Sequence, residues 1–317
     1  METKEAVFRV FRYNPEKDEK PHHQTFNVKI DNRMTILDAL ENIKHEQDAS
    51  LTFRRSCRSG ICGSCAMKIN RLSKLACKTR AITEVERHGE VLIEPMENMP
   101  PLRDLVVDMG EFWREIDRGT PWLAWDEKLS DSMKENLLSN EQQQISGKLA
   151  DCIMCGCCFS DCLSRTYDRN FNGPASLAKI YRFVCDPRDK EGAKRVHGLV
   201  EMGLWSCTHC YFCWSQCPRD VRPVTAISEL RTLSYNTLDP SQGARHVSAF
   251  MDSVRGSGML NESTLYLKTM RWNVVGDASL ILRMAAKGRA PPLFPRAIPR
   301  IQEVRSLYRL AKGMKQR

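Results

Sequence analysis

Fourteen cysteines stand in this 317-residue chain, and thirteen of them fall into three groups. Four lie within positions 57–77, five within 152–162 and four within 207–217, with Cys185 alone between the last two groups. Disulfide scaffolds of this cysteine density belong to short secreted chains. The opening residues, METKEAVFRV, carry no apolar signal core and no Arg- and Ser-rich transit pattern. The expectation is a protein of a reducing compartment, or one from which a targeting segment has been removed. Its cysteines are then metal ligands.

Spacing narrows the metal. Cys57, Cys62 and Cys65 follow the order C-x4-C-x2-C, with Cys77 as the fourth member after eleven intervening residues. This is the plant-type ferredoxin order for a 2Fe–2S cluster. Three thiolates must reach one iron pair from a single loop, and Gly60 and Gly63 let the backbone wrap close to the sulfides. Backbone N–H groups there would also offset the cluster's negative charge. Zinc uses C-x2-C pairs too, but a zinc ribbon takes two of them and this group has one.

The other two groups repeat a different pattern. DCIMCGCCFSDC sets Cys152, Cys155, Cys158 and Cys162 at C-x2-C-x2-C-x3-C. CTHCYFCWSQCP sets Cys207, Cys210, Cys213 and Cys217 at the same spacing and adds Pro218. In two-cluster ferredoxins the fourth cysteine of each run ligates the other cluster. The rule predicts one 4Fe–4S cluster on Cys152, Cys155, Cys158 and Cys217, and a second on Cys162, Cys207, Cys210 and Cys213. Cys157 is spare, because only Cys158 keeps the two-residue spacing, and Cys185 is expected as a buried structural thiol. His209 lies between two ligands of a full cysteine set, so it is expected to tune a cluster by hydrogen bonding, or to be merely satisfied or solvated.

A chain of this length suggests about two domains. Residues 6–13 and 25–30 alternate apolar and polar, as strands do. Thr35 precedes residues 36–47, whose Ile36, Leu37, Leu40 and Ile43 share one helical face. Further strands around 67–69 and 91–93 complete a small mixed sheet. Pro100 and Pro101 mark a boundary, and residues 102–116 read as a helix leaving it. From 102 to 245 the pattern is helical, without strand alternation. The remainder holds Gly256 and Gly258, an amphipathic stretch at 279–287 and a Pro-rich run at 290–299. The expected class is α+β, with units at 1–101, 102–245 and 246–317.

Charge and motifs exclude several functions. The chain carries 48 Lys and Arg against 39 Asp and Glu, a net charge of +9. Residues 279–317 hold ten of the basic residues and only Glu303 of the acidic ones, so residues 1–278 are neutral. A nucleic-acid surface would interleave basic residues with the clusters, so nucleic acid is not expected as a partner. Basic charge confined to a tail suggests docking instead. The most apolar stretch, Ala278 to Ala286, is interrupted by Ser279 and Arg283 and is far short of the roughly 20 residues of a membrane span. No G-x-G-x-x-G, Walker A or zincin motif is present, so the chain offers no recognisable site for FAD or NAD. Clusters pass single electrons whereas C–H oxidation moves a pair, which implies a flavin-bearing partner.

The residues RSCRSGICGSCAM followed by LAC are similar to the 2Fe–2S signature of the iron–sulfur subunits of succinate dehydrogenases and fumarate reductases, respiratory complex II. CIMCGCC with its later cysteine, and then the run ending in CP, resemble the second half of the same subunits, over residues 5–240. The resemblance implies an N-terminal β-grasp ferredoxin domain, an all-helical bacterial-ferredoxin-like domain and a C-terminal extension. It implies electron transfer in a succinate:quinone oxidoreductase, with no catalytic residue in this chain. The FAD and the dicarboxylate site belong to a partner flavoprotein. A fumarate reductase, linked to quinol or to a thiol or heterodisulfide, would use the same relay.

Two departures qualify the resemblance. Most of the family lacks a cysteine matching Cys210 and holds a 3Fe–4S cluster on positions matching Cys162, Cys207 and Cys213; here Cys210 supplies a fourth ligand. Leu163 replaces a proline, and residues 164–167 lack the tryptophans that line the family's quinone pocket. Together these resemble the non-classical branch of complex II, whose membrane-side partner is a cysteine-rich subunit rather than a haem-bearing anchor. Quinone is then reached indirectly, and the implied location is peripheral, within a complex on the cytoplasmic face of the cell membrane. The basic tail fits a clamp on that partner, contact with anionic lipid, or a solvated extension.

Overall fold

The computed structural model describes residues 3–125, 135–237, 241–289 and 296–314, the side chains of 312–314 excepted. Contacts divide the chain into two units, residues 1–233 and 234–317.

The first unit begins with a five-stranded mixed sheet in the order β2-β1-β5-β3-β4. Strands β1 (Lys4–Arg12) and β2 (His22–Ile30) pair antiparallel in full register, Phe8 opposite Phe26. Ala6, Phe8 and Val10 of β1 and Phe26, Val28 and Ile30 of β2 point inward at alternate positions, as the sequence pattern predicts. β5 (Val91–Glu94) lies parallel to β1 and antiparallel to β3 (Ala66–Ile69), which forms a hairpin with β4 (Leu72–Leu75). Across the sheet packs α1 (Ile36–Asn42), extended by a π-turn at Ile43–Gln47. Thr35 caps it reciprocally: its hydroxyl accepts from the Asp38 amide, and the Asp38 carboxylate accepts from the Thr35 amide. Helix α2 (Ala81–His88) leads into β5.

The expected single helix over 102–116 does not form. Residues Pro101–Arg103 and Val106–Val107 make a small antiparallel hairpin, β6 and β7, and only Gly110–Arg118 is helical, as α3. The strand-free reading of 102–245 fails at the same place. Asp104 turns the hairpin with a φ of 44°. Its buried carboxylate accepts from Arg12 Nε at 3.1 Å, the Tyr13 amide at 3.0 Å and the Thr52 amide at 2.8 Å. Three donors from two distant segments, residues 12–13 and residue 52, fix this turn, and none of them can be read from local periodicity.

The rest of the first unit is helical: α4 (Asn140–Ala150), α5 (Cys157–Ser160), α6 (Leu163–Tyr167), α7 (Pro174–Val184), α8 (Gly192–Gly198), α9 (Phe212–Ser215) and α10 (Pro223–Asn236), which runs past residue 233. Its packing joins the sheet's core, because Phe112, Ile116, Phe159 and Ala175 belong to one apolar cluster with Phe8, Ile93 and Met99. Polar ties cross the same seam. Asn98 Nδ2 donates to the carbonyls of Phe159, Ser160 and Cys162 at 3.0–3.3 Å, and Ser73 binds the Asp161 carboxylate through its amide and hydroxyl.

The second unit contains α11 (Gln242–Ser257), α12 (Glu262–Met270), a 3-10 turn at Arg271–Asp277, α13 (Ala278–Ala286) and α14 (Ile301–Met314). Gly258, at φ 78°, ends α11 with the side chain of Ile298 where a Cβ would stand. The amphipathic stretch expected at 279–287 is α13, while most of the Pro-rich run lies outside the described residues. Among the described residues no helix is long and apolar enough to cross a membrane.

Candidate metal centres

The first group occupies one loop and one hairpin. Arg58, Gly60 and Gly63 have φ of 55°, 74° and 73°, and these left-handed residues curl the loop around its own sulfur. The amides of Ser59, Ile61 and Cys62 donate to Cys57 Sγ at 3.4, 3.3 and 3.3 Å, and the Cys57 amide donates to Cys62 Sγ at 3.5 Å. The Ser59 amide is foremost in holding the Cys57 thiol down to about 5, so it is a thiolate at neutral pH. Cys65 and Cys77 flank the β3–β4 hairpin, where the Ala76 amide donates to the Cys65 carbonyl at 3.1 Å. The hairpin therefore returns a cysteine twelve positions along the chain to its partner's side. Burial pushes the Cys65 thiol up to about 12, so this sulfur ionises only where a cation replaces the proton.

The other two groups share one backbone design. Met154 and Gly156 in the first run have φ of 54° and 83°; His209 and Tyr211, at the same places in the second, have 53° and 65°. Each left-handed pair launches a four-residue helix, α5 or α9. Phe159 and Ser160 donate back to the Gly156 carbonyl, as Trp214 and Ser215 do to Tyr211. Cys162 then donates to Phe159, as Cys217 does to Trp214. In this repeat Cys210 stands where Cys155 stands. Each short helix carries its last cysteine away from its own run and toward the other.

The result is two hollows. Cys152, Cys155, Cys157 and Cys158 line one of them together with Cys217. Cys162 lines the other with Cys207, Cys210 and Cys213. Among the described residues no group of three or more His, Cys, Asp or Glu side chains is placed to hold a single metal ion; the cysteines are gathered around these hollows instead. Burial, then the neighbouring sulfurs, pushes Cys162 up to about 11 and Cys213 up to about 12. Four thiolates can occupy such a hollow only around positive charge, which iron supplies. The donor set fits iron–sulfur clusters in all three places. Cys157, nearly inaccessible, hydrogen-bonds Cys155, and Cys185 is half-buried at the end of α7, bonded to Tyr181 rather than fully enclosed.

His209 takes no metal-ligand role in this geometry. Its Nδ1 lies 2.9 Å from Arg231 Nη1, and its Nε2 lies 3.1 Å from Ser228 Oγ. A guanidinium only donates, so Nδ1 accepts and the ring proton sits on Nε2. Arg231 also donates to the carbonyls of Leu204 and Cys207 and stacks on Trp205 at 5.2 Å. Sequence reasoning missed this arginine, as it missed Lys179, a nearly buried cation whose field reaches Cys152. Neither belongs to a motif; both are placed by helices that follow the cysteine runs.

Gly63 brings the first loop against the second run. A Cβ at this position would stand 2.8 Å from Cys155 Cβ and 2.9 Å from its Cα. Gly63→Ala is expected to cost about 2–4 kcal/mol, adding a left-handed alanine to an overpacked backbone contact. Thermal unfolding followed at the clusters' visible absorbance measures it. A melting temperature equal to that of the unsubstituted protein would show that the two loops do not meet at this point.

Two family models match: a 2Fe-2S iron-sulfur cluster binding domain over residues 7–114, and a 4Fe-4S dicluster domain over residues 148–221. Over 231 residues the chain is 37% identical to the mitochondrial succinate dehydrogenase [ubiquinone] iron-sulfur subunit 2 of Oryza sativa subsp. japonica, covering 71% of this chain and 74% of that one. It is 38% identical, also over 231 residues, to the fumarate reductase iron-sulfur subunit of Haemophilus influenzae, covering 69% and 89%. In fold it is similar to a chain of the Mycobacterium smegmatis Sdh1 complex in the apo form, with a TM-score of 0.68 at 24% identity over 75% of this chain and 99% of that one. The chain is α+β, a mixed-sheet 2Fe–2S ferredoxin domain followed by a helical 4Fe–4S ferredoxin-like domain. It belongs to the family of iron–sulfur subunits of succinate dehydrogenase and fumarate reductase.

Proposed function

We propose that this chain is the electron-transfer subunit of a succinate:quinone oxidoreductase, carrying one 2Fe–2S and two 4Fe–4S clusters in series. Cys57, Cys62, Cys65 and Cys77 hold the first cluster. Cys152, Cys155, Cys158 and Cys217 hold the second, and Cys162, Cys207, Cys210 and Cys213 hold the third. The observation that carries the reading is the crossed lining of the two hollows, each completed by the last cysteine of the other run.

The chain's own residues order the path. Gly63 seats the first loop on Cys155, and α5 joins Cys158 of the second set to Cys162 of the third. The amides at Cys57 and the cation of Arg231 beside Cys207 offset the negative charge at the two ends. The clusters, when bound, supply one-electron carriers; two-electron chemistry on the dicarboxylate belongs to an FAD-bearing partner subunit. At the other end Cys210, Tyr211 and Phe212 are exposed, which suits delivery to a second, membrane-side subunit that reaches quinone. The complex is peripheral, on the cytoplasmic face of the membrane. Functional boundaries fall at 1–101, 102–245 and 246–317. The 38% identity to a fumarate reductase subunit favours the reverse run as the second reading, since the same relay serves either direction.

The test is iron and acid-labile sulfide per chain in the anaerobically purified complex, with EPR after succinate addition. Ten irons and succinate-reduced clusters are expected. Zinc in place of iron, or clusters that succinate leaves oxidised while dithionite reduces them, would overturn the reading.

A further inference from the structure

We propose that α13, with the turn before it, is an interfacial membrane anchor that lays this chain directly on an anionic lipid surface. Every residue from 278 to 289 is exposed. That stretch includes Leu280, Ile281, Leu282 and Met284, and Trp272 and Val275 of the preceding turn are 89% and 74% exposed. Globular chains do not leave so much contiguous apolar surface in water without an occupant. At helical spacing the apolar side chains cover a broad arc, while Ser279, Arg283 and Lys287 fall in one narrow stripe.

Charge selects the occupant. No acidic residue occurs between Asp277 and Glu303, and Arg271, Arg283, Lys287 and Arg289 punctuate the apolar segment. Cations of one sign along a helix with a Trp and branched aliphatics match a phospholipid interface, where the ring sits among headgroups and the long cationic stems reach outward. A protein groove would call for polar groups of both signs on the helix rim, as interfaces generally show. The segment is too short to span a bilayer and lies in its surface plane.

The experiment is flotation of the full-length, cluster-loaded chain with phosphatidylcholine vesicles, with and without phosphatidylglycerol, across a salt series. Binding is expected only with phosphatidylglycerol, weakening as salt rises. Leu280→Glu with Leu282→Glu is expected to reduce the vesicle-bound fraction about tenfold or more, as is Arg283→Glu with Lys287→Glu. The altered side chains are exposed, so visible spectra and iron content, which read the relay and not the tail, should stay unchanged. Absence of flotation, equal flotation on neutral vesicles, or recruitment to vesicles only when a partner subunit is present would each overturn the anchor.

Discussion

Replacing Cys217 with alanine is expected to destroy the cluster of the other cysteine run and to spare most of its own. Cys217 follows Cys207, Cys210 and Cys213 in sequence, yet the short helix α9 delivers it to the hollow of Cys152, Cys155 and Cys158. Cys217→Ala should therefore match Cys152→Ala, with up to four irons lost and the same EPR signal missing from the reduced protein. Cys162→Ala should match Cys207→Ala in the same way, because Cys162 lines the other hollow. The paired comparison controls for general instability, since each substitution removes one buried or half-buried thiol, and Cys217 and Cys162 occupy matching places in the two runs. A Cys217→Ala spectrum that matched Cys213→Ala would show that each run keeps its own four cysteines.

The second large effect is a change of cluster type. Cys210→Ala should turn the third centre from 4Fe–4S into 3Fe–4S, leaving nine irons per chain and a strong EPR signal in the oxidised protein, where a 4Fe–4S centre is silent. Cys210 occupies the repeat position of Cys155 and shares a hollow with Cys162, Cys207 and Cys213. On the proposed ligation the exposed Cys210 holds the accessible corner of the centre, so the substitution should leave the other two clusters and the fold intact. A nine-iron protein with the oxidised signal already present before substitution would make Cys210 a bystander.

The sequence alone determined the chemistry of this protein because cluster ligation is written in short spacings. C-x4-C-x2-C and the paired C-x2-C-x2-C-x3-C runs single out the candidate thiols, and the crossing rule groups Cys217 and Cys162 with the cysteines whose hollows they line. Alternation was legible in β1 and β2, nine-residue strands with one buried face. The short strands β3 and β5 were legible too, around 67–69 and 91–93, whereas β4, and β6 and β7 of three and two residues, were not. The apolar residues of 102–116 read as a helix because nothing local announces that Asp104 collects donors from Arg12, Tyr13 and Thr52. Only the tertiary structure could decide such points: the Asp104 turn, the clamp of Arg231 on His209 and the seating of Gly63 against Cys155. Each joins segments far apart in the chain, and a contact of that kind leaves no periodic mark on either strand of sequence that makes it.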